Sequence, residues 1–480
     1  MFIHRLFLLK DTTRTILLRE LCQGYNVAMR ELPEWTISSP KSILYLLLAL
    51  ALVRGIIYAS IVPPWQAPDE NAQFERARAA LTEMEWNSTS ANPPLWYDDL
   101  IKSMVDFEFW DFVDTPRQTY SPDKPVGLYI GLYQEIYDGL YGSRFAYALI
   151  GLPLFWAHNQ DIALQLYLVR LNTVLMNVGI VLFSYLITRL IFPQDIFVTL
   201  GVPILIIFNP QHTHLLSTVN NGNLAELLAT VALYFLVQII IRGFTWINVS
   251  STLLFSVGAM WAKATAYFLP FALATVGLFY LWQYRRHWAW LLPGFVFGGG
   301  LIFYFAPERL KQLAFDAFDG LNQGNFYLDS IVPIDLFSSF WAMPGWTSLE
   351  LYPFWYQLLA ISCLMALFGL LSLSITRGKL IYQKEHQPRI QALFVLLVSA
   401  IVAIGVLLIW NTITHSIVYR QGRSIYPVIV PICIFLMLGW QQFIPARWNK
   451  EGLVAITMSL LLFDTMVLFN YIIPFFYSRY

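Results

Sequence analysis

Two adjacent carboxylates, Asp69 and Glu70, are the side chains of this sequence best suited to chemistry. They stand in the segment PPWQAPDENAQFERARAA, directly after a long apolar run. Pro68 holds Ala67 in extended geometry and is common at helix starts, so the two acids are predicted at a helix N-terminus. The positive end of a helix keeps carboxylates ionised, which suits binding a metal, orienting an acceptor hydroxyl or taking its proton. Acidic residues are also ordinary in the first turn of any helix.

Three basic residues have the chemistry to hold a phosphate group. Arg420 and Arg423 stand in VYRQGRSIYPVIVP, and Lys263 stands in WAKATAYFLP. Arginine offers a bidentate fork and lysine a point charge, so both suit a lipid phosphate or pyrophosphate. Gly422, between the two arginines, allows a close approach of the backbone. The alternative is that these cations reach lipid headgroups or pair with acids of the large loop that follows the first span.

Two further groups of residues give weaker signals for substrate binding. They are the histidines and asparagines of FNPQHTHLLSTVNNGN and the tryptophans of SSFWAMPGW, namely His212, His214, Asn220, Asn221, Trp341 and Trp346. The histidines, two apart, are a weak metal pair because they lie on different faces of a helix. The asparagines could hydrogen-bond a sugar, although capping the next helix is their more ordinary role. The tryptophans could stack on a sugar ring, although they also suit anchoring at a membrane interface.

Composition decides what kind of fold must position these residues. Of 480 residues, 57% are hydrophobic and 12% are charged, whereas soluble domains have roughly 45–50% apolar and about 25% charged residues. A soluble fold of this size cannot hide so much apolar surface, but a membrane protein can use it in spans of about 20 residues each. We therefore predict an all-α polytopic protein in a lipid bilayer. Basic and acidic residues balance at 30 each, and we expect no nucleic-acid partner.

Apolar runs predict about eleven spans in one transmembrane domain, residues 42–480, after a cytoplasmic segment of residues 1–41. The runs lie near 42–62, 163–188, 196–217, 223–241, 246–262, 265–283, 288–306, 354–375, 390–413, 424–442 and 452–475. Two long loops, about 63–145 and 307–353, lie between them. We interpret the fifth and sixth runs as a hairpin that is interrupted only by Lys263 and Pro270.

Charge distribution orients these spans, because lysine and arginine favour the cytoplasmic side of short loops. With the N-terminus inside, the cytoplasmic segments hold 16 basic and seven acidic residues, whereas the loop from Pro63 to Ser143 holds 14 acidic and five basic ones. Both long loops are then extracytoplasmic, in an integral plasma-membrane protein. Arg420, Arg423 and Lys263 are cations on the side where the rule does not expect them.

The order of these motifs resembles the GT-C superfamily of multi-pass membrane glycosyltransferases. The similarity is carried by PPWQAPDE after the first span, NPQHTHLLSTVNNGN after the third, then WAKATAYFLP, SSFWAMPGW and YRQGRSIYPVIVP. More narrowly, these segments are similar to a bacterial branch related to aminoarabinose and protein O-mannosyl transferases. The resemblance covers roughly residues 42–474 and implies a GT-C-like bundle with a long extracytoplasmic first loop.

The resemblance also implies a function and roles for the candidate residues. The protein is then an inverting glycosyltransferase that moves a sugar from a polyprenyl-phosphate donor to an extracytoplasmic glycan, lipid or protein acceptor. Carried over by position, Asp69 is the catalytic acid or base with Glu70 as its helper, and Arg420, Arg423 and Lys263 bind the donor phosphate. Cations that stabilise the leaving phosphate remove the need to protonate it.

Two questions stay open at this stage. The family pattern often has a histidine and an acid where this chain has Gln73 and Gly222, so a divalent metal at Asp69 and Glu70 is neither required nor excluded. The main alternative function is a flippase or transporter of lipid-linked saccharide, and a third is a polysaccharide polymerase. A flippase does not need a carboxylate pair fixed at the start of a long outer loop.

Overall fold

A computed structural model of the protein describes residues 40–81, 96–112, 143–283, 331–377, 386–414 and 421–478. Across these ranges every regular element is a helix, and no strand occurs. Eight of the helical segments are long and apolar enough to cross a membrane. The predicted class, an all-α membrane protein with many spans, is therefore confirmed.

The described residues up to Gln283 form twelve α-helices of very different lengths. They are α1 (Pro40–Ile61), α2 (Glu70–Ala80), α3 (Trp96–Asp106), α4 (Phe109–Phe112), α5 (Arg144–Ile150), α6 (Leu154–Ala157), α7 (Ile162–Ile191), α8 (Ile196–Ile207), α9 (Pro210–Leu216), α10 (Asn221–Arg242), α11 (Trp246–Ala262) and α12 (Leu269–Gln283). A short 3-10 helix at Ala264–Ala266 lies between the last two. The short helices α2 to α6 all follow α1 and precede the long helix α7.

The described residues from 331 onward form six more α-helices. They are α13 (Ile331–Trp341), α14 (Pro353–Arg377), α15 (Gln387–Thr414), α16 (Ile429–Gln441), α17 (Asn449–Val467) and α18 (Ile473–Tyr477). Two 3-10 helices, Gly422–Val428 and Ala446–Trp448, precede α16 and α17, and a π-helical turn at Leu468–Ile472 joins α17 to α18. Contacts group the described residues from Leu47 onward into one compact unit.

The candidate membrane spans coincide with apolar runs predicted from the sequence. The eight segments are Lys41–Ile61, Ile162–Ile191, Asn221–Arg242, Ala264–Gln283, Pro353–Thr376, Gln387–Ile409, Gly422–Gln441 and Ala446–Tyr477. Together, α8 and α9 add a ninth candidate, although they meet at an angle of 61°, as in a broken span or a re-entrant loop. The bend lies at Asn209, whose side chain accepts a hydrogen bond from the His212 amide and so caps α9.

Two of the predicted spans are not among these segments. The fifth corresponds to α11, which has 17 residues and lies at the short end of the range of about 17–25 that crosses a bilayer. The seventh, 288–306, lies outside the described residues, as do residues 1–39 and about half of each predicted outer loop. The count of eleven, the long first loop and the orientation therefore stay predictions.

Charged residues inside apolar helices are paired within the bundle. Arg54 in α1 forms an ion pair with Asp464 in α17, and the Tyr58 hydroxyl donates to the same carboxylate at 2.7 Å. The Arg54 Nε also donates to the Ile207 carbonyl oxygen at 3.3 Å, at the end of α8. These bonds connect α1 to α8 and α17. They are strongly favoured because an unpaired charge is costly in a membrane interior.

Glycines allow three backbone approaches that set the position of α16 and of the 3-10 helix before it. A Cβ on Gly369 in α14 would clash with the Gly439 carbonyl of α16, and one on Gly439 would clash with the Ala366 carbonyl. Small residues give membrane helices this kind of close contact. At the other end, a Cβ on Gly422 would clash with the backbone of Phe340 in α13. Gly422 therefore seats the start of the 3-10 helix against α13.

Candidate active site

The chain enters α2 through a backbone conformation that is unusual for a residue with a side chain. Asp69 lies at φ 62° and ψ 10°, in the left-handed region, and α2 begins at Glu70. The predicted helix start at these two acids is thus confirmed. Aspartate and asparagine adopt this region more readily than other residues with a Cβ. The Asp69 carboxylate makes no capping hydrogen bond to α2, because it is directed to a partner elsewhere in the chain.

That partner is Arg423, which follows Gly422 in the 3-10 helix before α16. Arg423 Nη2 donates to Asp69 Oδ2 at 2.8 Å, and Nη1 donates to the Pro68 carbonyl oxygen at 3.3 Å. The Asp69 side chain is 36% exposed and the Arg423 side chain 11%. Gly422 is held in turn by a hydrogen bond from its amide to Ser339 Oγ at 2.7 Å. The seating of Gly422 on α13 therefore brings Arg423 to the start of α2.

Lys263 is the second cation of this region. It follows α11, and its Nζ donates to Asn220 Oδ1 at 3.2 Å. A Cβ on Gly222 would lie 3.1 Å from the same Nζ, so the end of the lysine packs against the first turn of α10. Burial, reinforced by Arg423, lowers the pKa of Lys263 to about 7, while Asp69 opposes that shift. Lys263 and Arg423 are thus close enough to influence each other and the same carboxylate.

The charge state of Asp69 follows from these neighbours. Burial by itself raises the pKa of the Asp69 carboxyl, but Arg423, Lys263 and Arg76 together outweigh it, and the pKa is lowered. Of these three cations, Arg423 has the largest influence on the pKa of Asp69, first through its charge and then through its hydrogen bond. The Asp69 carboxylate is therefore ionised at neutral pH, and the cause is its cationic neighbours. We call Asp69, Arg423 and Lys263 the charged cluster.

Glu70 has a different environment from its neighbour in sequence. Its carboxylate forms a bidentate ion pair with Arg170 in α7, at 2.8 Å from Nε to Oε1 and 2.6 Å from Nη2 to Oε2. It also accepts hydrogen bonds from the Trp65 and Val219 amides, each at 3.1 Å. Both charged side chains are fully buried. With four donors on its two oxygens, Glu70 is geometrically a structural acid rather than a group presented to a substrate.

Arg170 extends the same network to the end of α1. Its Nη1 donates to the carbonyl oxygens of Ala59 at 2.9 Å and Val62 at 2.6 Å, and its Nη2 donates to that of Pro63 at 2.9 Å. These carbonyls belong to the last turn of α1 and the chain just beyond it, where no further helical donors follow. Arg170 and Glu70 thus fix the chain from α1 to α2, and with it the position of Asp69.

The asparagine turn before α10 lies beside the charged cluster. Asn220 caps α10 through a 2.7 Å hydrogen bond from the Gly222 amide, in addition to the bond from Lys263. The Asn221 amide donates to Gln73 Oε1 at 3.3 Å, which links the turn to α2. The Asn221 side chain donates to the Ala262 carbonyl oxygen at 3.3 Å. Both asparagines therefore have the capping and loop-bonding roles that the sequence left open beside sugar binding.

The two predicted histidines lie in α9, and both are buried. His212 Nε2 and Glu226 Oε1 of α10 lie 2.7 Å apart, and the imidazole packs edge-on against Tyr426, with ring centroids 5.1 Å apart. His214 is also fully buried. Within the described part of the chain, no group of three or more histidine, cysteine or acidic residues is arranged to hold a metal ion. Asp69 and Glu70 themselves turn to different partners.

The two predicted tryptophans differ in exposure. Trp341 at the end of α13 is buried, whereas Trp346 is partly exposed. Trp346 Nε1 donates to the Trp65 carbonyl oxygen at 3.1 Å, and its ring meets that of Phe109 edge-on at 5.6 Å. Trp346 therefore packs against the segment that leads to Asp69. The remaining predicted cation, Arg420, lies outside the described residues.

A polar cavity of about 430 Å³ lies beside α2, α3 and the start of α7. Charged residues of both signs line it, among them Arg78, Asp99, Lys102 and Asp106. Asp161, also in its wall, caps α7 through a 2.9 Å hydrogen bond from the Ala163 amide. None of the residues predicted for the site lines this cavity.

Two residues near the site were not assigned to it from the sequence. Arg170 is the partner of Glu70, and Glu226 is the partner of His212. Each of them has one signal in the sequence: it is a single charged residue within or at the edge of an apolar run. Such a residue usually requires a partner in the bundle. The sequence offers no pattern that says which partner it is.

Comparison of the chain with protein-family models, with curated proteins and with solved structures finds no match in any of the three. The function proposed below is therefore drawn from the chemistry of the charged cluster and from the motif order of the sequence.

Proposed function

We propose that this protein is a membrane glycosyltransferase with a GT-C-like bundle of about eleven transmembrane helices. It transfers a sugar from a polyprenyl-phosphate donor to a glycan, lipid or protein acceptor on the outer side of the plasma membrane. One observation carries the proposal: Asp69, Arg423 and Lys263 come from segments far apart in sequence and meet in one partly exposed cluster. A carboxylate beside two cations is what an inverting displacement at a phosphate-linked sugar requires.

Each member of the cluster has a defined part in this reaction. Asp69 takes the proton of the acceptor hydroxyl, and the acceptor oxygen forms a bond to the anomeric carbon of the sugar. The bond from that carbon to the phosphate oxygen breaks, and the electron pair leaves with the phosphate. Arg423 and Lys263 stabilise the charge on the departing phosphate, so no acid has to protonate it. Arg420 is proposed as a third phosphate ligand.

Glu70 is better explained as a residue that positions Asp69 than as a second catalytic acid. Its two oxygens already accept four hydrogen bonds from Arg170, Trp65 and Val219. A catalytic helper would need an oxygen directed toward the substrate. The proposed chemistry needs no metal ion at this pair, because Asp69 supplies the base and the cations supply the charge stabilisation.

A transferase and a flippase of lipid-linked saccharide differ in what they need from the bilayer. Detergent micelles have no two leaflets to move a lipid between, so only a transferase can turn over in them. We expect the purified protein in micelles to release free polyprenyl phosphate from a labelled polyprenyl-phosphate sugar when a membrane extract supplies acceptors. No release in micelles, together with movement of the intact donor across a proteoliposome bilayer, would instead establish the flippase.

The pKa of Lys263 predicts how kcat/KM for the donor changes with pH on the alkaline side. Phosphate binding needs the protonated amine, whose pKa of about 7 means that the cation is lost as the pH rises above neutrality. We expect kcat/KM for the donor, which reports the free enzyme, to fall as the pH rises above about 7. Lys263→Arg keeps its charge at all these pH values and should remove this decrease. An unchanged decrease in this variant would show that another group titrates.

A further inference from the structure

The ion pair between Asp69 and Arg423 occupies the atoms that the proposed reaction needs. Arg423 donates one nitrogen to Asp69 Oδ2 and another to the Pro68 carbonyl oxygen. While the pair is closed, those nitrogens are directed to the protein and not to a phosphate. The same ion pair uses Oδ2, one of the two carboxylate oxygens that could accept a proton.

We propose that the Asp69 carboxylate occupies, in the resting protein, the place on Arg423 that the donor phosphate takes, and that donor binding releases it. The identity of the incoming anion rests on the proposed function. The displacement itself rests on the geometry of the pair. Asp69 is then an internal competitor of the donor before it becomes the base.

The contacts of the pair make such an exchange feasible. The Asp69 side chain is 36% exposed and the Arg423 side chain 11%, so the pair is partly buried and its carboxylate side is in contact with solvent. The carboxylate is bound to one cationic side chain, whereas a phosphate between Arg423 and Lys263 would bind two. Charge-assisted bonds to two cations favour the phosphate over the carboxylate. Asp69 makes no capping hydrogen bond to α2, so no further bond of its side chain to that helix has to break.

The exchange would order the reaction. Arg423 is the cation with the largest influence in lowering the pKa of the Asp69 carboxyl. A carboxylate that loses such a partner becomes a stronger base. Asp69 therefore becomes a stronger base only after a donor phosphate has replaced the carboxylate on Arg423. As a result, the acceptor hydroxyl is deprotonated only when a donor is already bound. Without donor, the paired carboxylate is a poor base, so it does not deprotonate an acceptor hydroxyl or a water molecule before the donor has bound.

Binding of a small phosphodiester tests the displacement without any sugar transfer. The probe is dibutyl phosphate, titrated by calorimetry into the purified full chain in micelles at pH 6.5, with neutral tributyl phosphate as the control ligand. We expect Asp69→Asn to bind dibutyl phosphate about tenfold more tightly than the wild type, because the competing charge is gone. Asp161→Asn, the same change at an exposed acid that caps α7, should leave the affinity unchanged.

Each outcome separates the displacement from the proposed function. Equal or weaker binding by Asp69→Asn, with Arg423→Ala still weakening it, would overturn the displacement and leave the phosphate site standing. Unchanged binding in Arg423→Ala would show that Arg423 does not bind the phosphate, and it would contradict the proposed function as well. Tighter binding by Asp69→Asn that Arg423→Ala abolishes in the double variant would support the displacement.

Discussion

Replacing Asp69 with asparagine is expected to lower the turnover number of sugar transfer by about 10²- to 10⁴-fold, the usual contribution of a general base. Asparagine keeps the shape of the side chain and tolerates the left-handed backbone at φ 62°. It cannot accept a proton from an acceptor hydroxyl at neutral pH. The measurement is single-turnover transfer from a labelled polyprenyl-phosphate sugar in micelles, at saturating donor.

Two controls separate this loss from misfolding or from weaker donor binding. Asp161→Asn makes the same chemical change at the N-terminus of α7 and should transfer sugar at the wild-type rate. Asp69→Asn itself should elute as a monodisperse protein and bind a phosphodiester at least as tightly as the wild type. Full turnover in Asp69→Asn would exclude this carboxylate as the base.

The second large effect concerns stability. Arg170→Gln should destabilise the protein by about 3–5 kcal/mol, because it leaves the fully buried Glu70 carboxylate without its charged partner. The same change removes donors from the carbonyls at the end of α1, including those of Ala59 and Val62. The measurement is thermal unfolding of the purified protein in micelles, followed by intrinsic tryptophan fluorescence.

The matched control is Arg242→Gln, since Arg242 ends α10 and is exposed. It should unfold at nearly the wild-type temperature. Equal stability of the Arg170 and Arg242 variants would show that the buried pair does not hold the α1–α2 connection.

Glu70→Gln adds a separate check of function. A variant that is stable and binds the donor but does not turn over would show that Glu70 is a catalytic helper after all.

The sequence predicted the helices well because membrane helices carry their signal locally. Long apolar runs and the breaks at Pro63 and Lys263 place all but one of the ends of the eight candidate spans to within four residues. The N-terminus of α2 was also predictable, because Pro68 and the adjacent acids are local signals. The local strain at Asp69 was not, since nothing in PPWQAPDE requires a positive φ.

The partners within the site could not be predicted, because they depend on how distant helices pack. Asp69 and Glu70 look equivalent in the sequence, yet one meets Arg423 at a partly exposed surface and the other meets Arg170 in the interior. That difference follows from the close approach of Gly422 to α13 and from the depth of Arg170 in α7. Neither feature leaves a pattern in a single sequence.

The most direct test of the central claim is a cryo-electron microscopy structure with a non-hydrolysable polyprenyl-phosphate sugar analogue bound. We predict that its phosphate lies within hydrogen-bond distance of both Arg423 and Lys263. The Asp69 carboxylate should have left Arg423 and should point toward the anomeric carbon side of the sugar. A phosphate bound elsewhere, with the Asp69–Arg423 pair still closed, would contradict the account.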